Sequence, residues 1–282
     1  YSDVIVSAFD VDTLADSHYF SYLTYVYCTH PNPTRSSYQP VPLYHNNMWN
    51  VSAVARIMSF GTTFWMLSEI TRPKRLWTFS SHSMSLRALV DVGYWQKNLV
   101  SEDSRIFLQM ILRYDGQYEV TPLYLPVSMD TVTGASWWAS VKNIYKQQRR
   151  WAWGVENFPF MLWHFRRNKN IPGSLKRRMI WNYAEGMFSW AVASVLILVL
   201  GRLPLYVGVA HAQSSILFQN APFVLEQLMQ YAMLGLFLSA GLSFTLLPSR
   251  PSTVRVEQYG LMVLQWLLLP ITLLGLGALP AI

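Results

Sequence analysis

Apolar and polar positions alternate at the start of the chain, so residues 3–10 read as a strand with a period of two. Asp16 stands where an N-cap belongs, ahead of an amphipathic helix that runs through Tyr27. The proline-rich stretch between Pro31 and Pro42 reads as loop and short strand. Residues 48–70 are apolar enough to be mistaken for a membrane span, but Arg56, Glu69 and the interleaved Ser, Thr and aromatic positions predict a buried or interfacial helix. Ser101-Glu102-Asp103 opens a helix to about Tyr114, and Asp115-Gly116 then turns the chain into a strand over 118–124. Strands alternating with helices predict an α/β domain over residues 1–135.

From Trp137 the pattern changes. Six of the twelve tryptophans (137, 138, 151, 153, 163 and 181) lie between there and 181, interleaved with basic residues. That combination predicts amphipathic helices lying in a bilayer interface over 136–178. The region 179–282 follows, with three apolar stretches at about 183–201, 223–247 and 259–282, each close to the roughly 20 residues that cross a hydrocarbon core. They could instead be buried core helices, but a third of the chain this apolar would need a very large soluble core to cover it.

Composition sharpens this picture. The 282 residues are 52% apolar with a mean hydropathy of +0.18, which favours a membrane part, and the chain opens on Tyr1 inside what already reads as a strand, so a segment upstream is expected. A net charge of +7 would suit nucleic acid. Its distribution says otherwise: nine Lys/Arg and one acid, Glu156, lie between Lys146 and Arg178, directly before the most apolar third, where anionic lipid headgroups would meet them. Loop 202–222 carries only Arg202, whereas loop 248–258 carries Arg250 and Arg255, so positive charge inside places residues 1–178 in the cytoplasm. A single cysteine, Cys28, excludes an internal disulfide framework and a cysteine-based zinc site.

Three short motifs carry candidate chemistry. In Phe9-Asp10-Val11-Asp12-Thr13 the alternation of a strand would put both carboxylates on one side just past its carboxyl end, where α/β sheets place ligands, and two hard oxygen donors can hold Mg²⁺ or Mn²⁺ against a diphosphate. A turn capped by Asp12 is the plainer reading, and with eight aspartates about 0.2 such motifs are expected by chance. Ser101-Glu102-Asp103 has the composition of an ordinary helix start, and the helix dipole there would keep Asp103 ionised at a low pKa, which makes a poor base for an alcohol. Gln147, Arg150 and Trp151 fall at i, i+3 and i+4, so an amide, a guanidinium and an indole share one helix face; only about 0.03 copies of Gln-x-x-Arg-Trp are expected by chance.

Taken in order, Asp-x-Asp, Glu-Asp, Gln-x-x-Arg-Trp and then apolar spans resemble the family-2 glycosyltransferases, whose catalytic domain has the Rossmann-like GT-A fold. Cellulose, chitin and hyaluronan synthases and ceramide glucosyltransferases share that order. The resemblance covers essentially the whole chain and implies the second half of a GT-A domain, followed by interfacial helices and about three transmembrane helices. It implies that Asp10 and Asp12 hold a divalent metal and the donor diphosphate, that Asp103 is the general base, and that Gln147 and Arg150 contact the diphosphate. Trp151 would floor the acceptor site beside Glu102. The segment from Ser80 to Arg87, followed by Gly93-Tyr94-Trp95, is similar to the family's stretch between metal motif and base, but Ser81-His82-Ser83 replaces its usual glycine. His82 is therefore a candidate acceptor-pocket residue, although a lone His is more often structural.

The implied protein is an integral membrane enzyme, catalytic side cytoplasmic and at the plasma membrane, that moves a sugar from a UDP-linked donor to a polysaccharide or lipid hydroxyl with inversion. Its partners are donor, acceptor and membrane lipids, not nucleic acid. The family's uridine-binding aspartate belongs upstream of Tyr1, and its Phe-x-Val-Thr-x-Lys gating segment is replaced by Pro251-Ser252-Thr253-Val254-Arg255, so processive export is not implied. Two other classes fit parts of the pattern: a catalytically inactive membrane scaffold that keeps the fold, and a transporter, for which three spans are few.

Overall fold

The computed structural model describes residues 1–200 and 216–282. It is a mixed α/β chain with a curled five-stranded sheet and three helices long and apolar enough to cross a membrane. The far end of the first expected span, together with Arg202, lies outside the described residues.

The chain divides into two compact units, and most of the first is the sheet with its helices. Strands β1 (Ile5–Ser7), β2 (Leu14–Ala15), β3 (Ser36–Tyr44), β4 (Ser83–Ser85) and β5 (Glu119–Met129) lie in the order β1-β4-β3-β5-β2. Only β3 and β5 pair in parallel. The crossover that parallel strands require passes through α2 (Ala53–Ile70), β4, α3 (Leu86–Asp91) and α4 (Glu102–Arg113).

Period-two alternation sorts the two faces. Val41 and Val120 face a core with Met84, Leu108, Met161 and Phe165. Tyr38, Leu123 and Val127 face the other way, against Tyr19, Leu23 and Tyr27 of α1 (Tyr19–Thr29).

Several expected elements differ. β1 stops at Ser7, because Thr13 N–H bonds the Asp10 carbonyl at 3.0 Å and turns the chain out of the sheet. Asp10 and Asp12 are thus presented by a turn and not by strand alternation. Asp16 is not the N-cap: α1 is entered through His18, whose N–H bonds Asp16 Oδ1 at 2.8 Å in the turn before it. The proline-rich stretch is no short strand but β3, nine residues at the middle of the sheet. Prolines donate nothing to a ladder, and the register breaks where they gather, between Gln39 opposite Pro122 and Val41 opposite Pro126. β5 likewise runs past the expected Tyr124 to Met129, and the helix expected over 48–70 starts at Ala53.

α4 ends as the sequence implies. Asp115 and Gly116 have φ of 51° and 86°, and the Gly116 N–H closes on the Ile111 carbonyl at 2.8 Å. The stretch expected to lie in the interface forms α5 (Trp137–Ala152), a short turn, and α6 (Asn157–Arg167), but Lys176, Arg177 and Arg178 belong to the first turns of the long helix α7 (Gly173–Leu200).

The second unit contains residues 49–58, 133–148 and 188–282. A small cluster of Trp49, Val254 and Met262 packs with Phe244, Leu247 and Tyr259. Helix α8 (Ile216–Thr245) is continuous, whereas the last apolar stretch begins as α9 (Gln258–Leu264) and continues in short 3-10, α and π pieces to Ala281. Gln265, buried in that stretch, accepts a 2.7 Å bond from Arg56 Nε. Of the apolar windows in the three spanning candidates, 0%, 11% and 39% are buried, so most of that surface is left uncovered by the described residues.

Two glycines should respond oppositely to alanine. At Gly116 a Cβ would sit 2.7 Å from Leu175 Cδ2 in a left-handed backbone, so Gly116→Ala should destabilise by about 1 to 3 kcal/mol. Gly61, inside α2 with nothing within 4 Å of its would-be Cβ, should gain about 0.5 to 1 kcal/mol as Ala. Thermal unfolding in detergent reads both; equal shifts would contradict the account.

Candidate active site

The site stands on the paired ends of β3 and β5, where Tyr44 lies opposite Met129. The Tyr44 hydroxyl is pushed to a higher pKa by burial first, then by the charges of Asp10, Asp103 and Asp12, with Arg150 acting in the opposite sense. The Trp151 ring lies 6.4 Å from the Tyr44 ring. Five of the expected residues, Asp10, Asp12, Asp103, Arg150 and Trp151, therefore gather around one tyrosine from separate stretches of the chain.

The Asp-x-Asp turn is held from two sides. Ser80 Oγ donates to Asp10 Oδ2 at 2.7 Å, and the Asp130 N–H donates to Asp12 Oδ2 at 3.1 Å. Asn46 Nδ2 fixes the Asp12 carbonyl at 3.2 Å. Among the described residues no group of three or more His, Cys, Asp or Glu is arranged to hold a metal ion. The protein would thus offer two carboxylates, which suits Mg²⁺ or Mn²⁺ when phosphate oxygens and water complete the shell.

Asp103 departs from expectation in its charge. Its Oδ1 accepts the Ser104 N–H at 2.7 Å, which favours the ionised form, and it lies in the first turn of α4. Burial outweighs both, and with Glu102 and Asp10 adding repulsion, its pKa is pushed up to about 7. The low pKa expected from the helix dipole is overturned because partial charges at a helix end do not replace the lost hydration of a carboxylate. Ser101 stands at the cap position, yet its hydroxyl donates to Glu156 Oε1 at 2.6 Å and makes no cap. Glu102 is exposed on the first turn of α4.

Gln147 is half-buried three residues before Arg150 on α5, in the part of that helix grouped with the second unit. Its expected place at the diphosphate rests on helix spacing alone. His82 is buried, with Nδ1 bonded to the Phe79 carbonyl at 2.7 Å and Nε2 accepting from Trp95 Nε1 at 3.3 Å. Desolvation lowers its pKa to about 4, so the ring is neutral and both nitrogens are engaged inside the protein. Those contacts are what a structural histidine makes, the alternative the sequence already offered for this residue.

Around it, residues 78–82 tie the two acidic segments together. Thr78 Oγ1 donates to the Asp103 carbonyl at 2.5 Å, Ser80 holds Asp10, and the buried Gln39 amide brackets the loop through Phe79 N–H and the Ser80 carbonyl at 2.8 and 3.1 Å. Sequence reasoning missed Tyr44, Ser80, Asp130 and Gln39. Only Tyr44 left a usable signal, an aromatic ending a strand just where α/β sheets place ligands.

Ser81 sits at φ 67°, a left-handed conformation that glycine takes without cost, and its hydroxyl lies 3.1 Å from Thr13 Oγ1. Ser81→Gly should therefore leave stability within about 1 kcal/mol, backbone relief offsetting the two lost hydroxyl contacts, to Thr13 Oγ1 and Ser80 Oγ, whereas the β-branched Ser81→Val should cost about 2 kcal/mol or more. Chemical denaturation of the two variants checks this, and a Val variant as stable as Gly would contradict it.

No protein-family model matches this chain, and no curated protein matches it.

Proposed function

We propose that the protein is an inverting glycosyltransferase that moves a sugar from a nucleotide-sugar, UDP-linked by the family resemblance, to a polysaccharide or lipid hydroxyl at the cytoplasmic face of a membrane. The observation that carries this reading is the convergence of Asp10, Asp12, Asp103, Arg150 and Trp151 around Tyr44. Three long apolar helices support the membrane setting.

In this reading Asp10 and Asp12 would hold a divalent cation, which when bound would supply countercharge to the leaving diphosphate. Arg150 adds a fixed positive charge beside it. Trp151 offers an indole face for the acceptor sugar or headgroup. Asp103, with a pKa near 7, accepts the acceptor hydroxyl proton as the oxygen attacks the anomeric carbon. The new C–O bond forms as the bond to the diphosphate breaks on the opposite side, so configuration inverts and the nucleoside diphosphate leaves.

Activity and stability should respond to pH in opposite directions. Transfer needs the Asp103 carboxylate, so its rate should climb with pH around a midpoint near 7. The folded state keeps a proton that the unfolded chain releases, so stability falls as pH rises from the ordinary carboxylate range to about 7. Asp103→Asn should then lower transfer about 10² to 10⁴-fold and yet unfold at a higher temperature than wild type at about pH 8, with the gap narrower at about pH 5 and closing only in the ordinary carboxylate range. A flat rate profile, or no gap at either pH, would remove Asp103 from the role of base.

The two acidic motifs should separate by assay. In the full-length protein, with its uridine-binding segment, Asp12→Ala should weaken cation-dependent binding of UDP in calorimetry about 10-fold or more, while Asp103→Asn binds UDP as wild type does. A chain that binds UDP but transfers no sugar from any nucleotide donor would be a scaffold and not an enzyme.

A further inference from the structure

We propose that Arg105 is a positioning residue for the Asp103 carboxylate, acting through a buried clamp to the turn that follows Trp151; this rests on the glycosyltransferase reading above. Arg105 is 5% exposed. Its Nε donates to Asn157 Oδ1 at 2.5 Å, Nη1 to Gln96 Oε1 at 3.2 Å and Nη2 to the Glu156 carbonyl at 3.4 Å. Its guanidinium carbon lies 3.9 Å from the centre of the Phe160 ring.

Two further bonds join the same pair of segments. Asn157, fully buried, donates from Nδ2 to Ser104 Oγ at 3.0 Å, and Ser101 Oγ donates to Glu156 Oε1 at 2.6 Å. Residues 101, 104 and 105 bracket Asp103 in sequence and all three are tied to Glu156 or Asn157, within two turns of Trp151. The clamp therefore fixes the base against the segment that carries the acceptor platform. It makes no bond to Asp10 or Asp12, which are held by Ser80 and the Asp130 N–H.

Stability alone is a weak reason to bury a guanidinium here, since an apolar residue of similar volume commonly serves a core as well or better. Geometry is a stronger one, because a planar fork reaches three acceptors in fixed directions and a lysine cannot. A general base displaced by about 1 Å can lose about 10²-fold in rate.

The test uses Arg105→Lys, Arg105→Met and the milder Ser101→Ala, which cuts only the Glu156 tether, assayed for transfer per folded molecule in detergent. The clamp predicts that kcat falls about 10 to 100-fold in both Arg105 variants and about 3 to 10-fold in Ser101→Ala, with KM for the nucleotide-sugar unchanged. Adding Asn157→Leu to Arg105→Met should cost little more, because the same clamp is already open. Unchanged kcat per folded molecule in Ser101→Ala and Arg105→Lys, with loss of unfolding temperature only, would reduce Arg105 to a packing role. An equal rise in donor KM would also overturn the proposal. No transfer by the wild type from any nucleotide-sugar would instead overturn the functional reading, and this inference with it.

Discussion

The parallel pairing of β3 with β5 is the constraint on which the candidate site depends. Tyr44 ends β3 opposite Met129, and the next residues of β5's chain receive the Asp-x-Asp turn through the Asp130 N–H. Asn46 and Asn47, just past β3, then bond the Asp12 and Thr131 carbonyls. A parallel pair brings two carboxyl ends side by side, and that is where chain segments with free polar groups can converge without breaking a ladder. The loop 78–82 closes the arrangement by holding Asp10 and the backbone of Asp103 at once.

Two effects of opposite sign meet at Asp103. A helix start and a backbone N–H favour its charge, while burial and two neighbouring carboxylates oppose it more strongly. The consequence is a group poised near neutrality, at the cost of fold stability whenever it ionises. Glu102, the other acid of the same turn, is exposed and carries no such conflict.

How far the sequence carried this picture depends on the kind of signal each residue leaves. The helices of α4, α5 and the apolar stretches were legible because periodicity and hydropathy are properties of neighbours in sequence. The nine-residue β3 was not, since Pro40 and Pro42 argue against a central strand and only the register break against β5 makes room for them. The order of the three motifs, through the resemblance it carries, singled out as candidates Asp10, Asp12, Asp103, Arg150 and Trp151, which gather at Tyr44, but their separate locations gave no hint of what holds them. Ser80, Gln39 and Asn157 act by one or two hydrogen bonds across long chain separations, and nothing local marks such partners. The pKa of Asp103 was misjudged for the same reason: the dipole is written in adjacent residues, while burial is a property of the assembled fold.

The first unit also carries its own membrane-suited surface, apart from the spanning candidates. On α6 the residues Asn157, Met161 and Phe165 face inward, whereas Pro159, Leu162, Trp163, Arg166 and Arg167 are exposed at helical spacing. Arg167 lies over the Trp163 ring with its guanidinium carbon 3.1 Å from the centroid. An exposed Leu and Trp beside two arginines is a poor surface for water and a good one for the boundary between headgroups and acyl chains, where the indole and the charges each find a suitable medium. Since α6 also supplies Asn157 to the bonds with Ser104 and Arg105, one short helix carries this exposed apolar and basic face on one side and the buried contacts to α4 on the other.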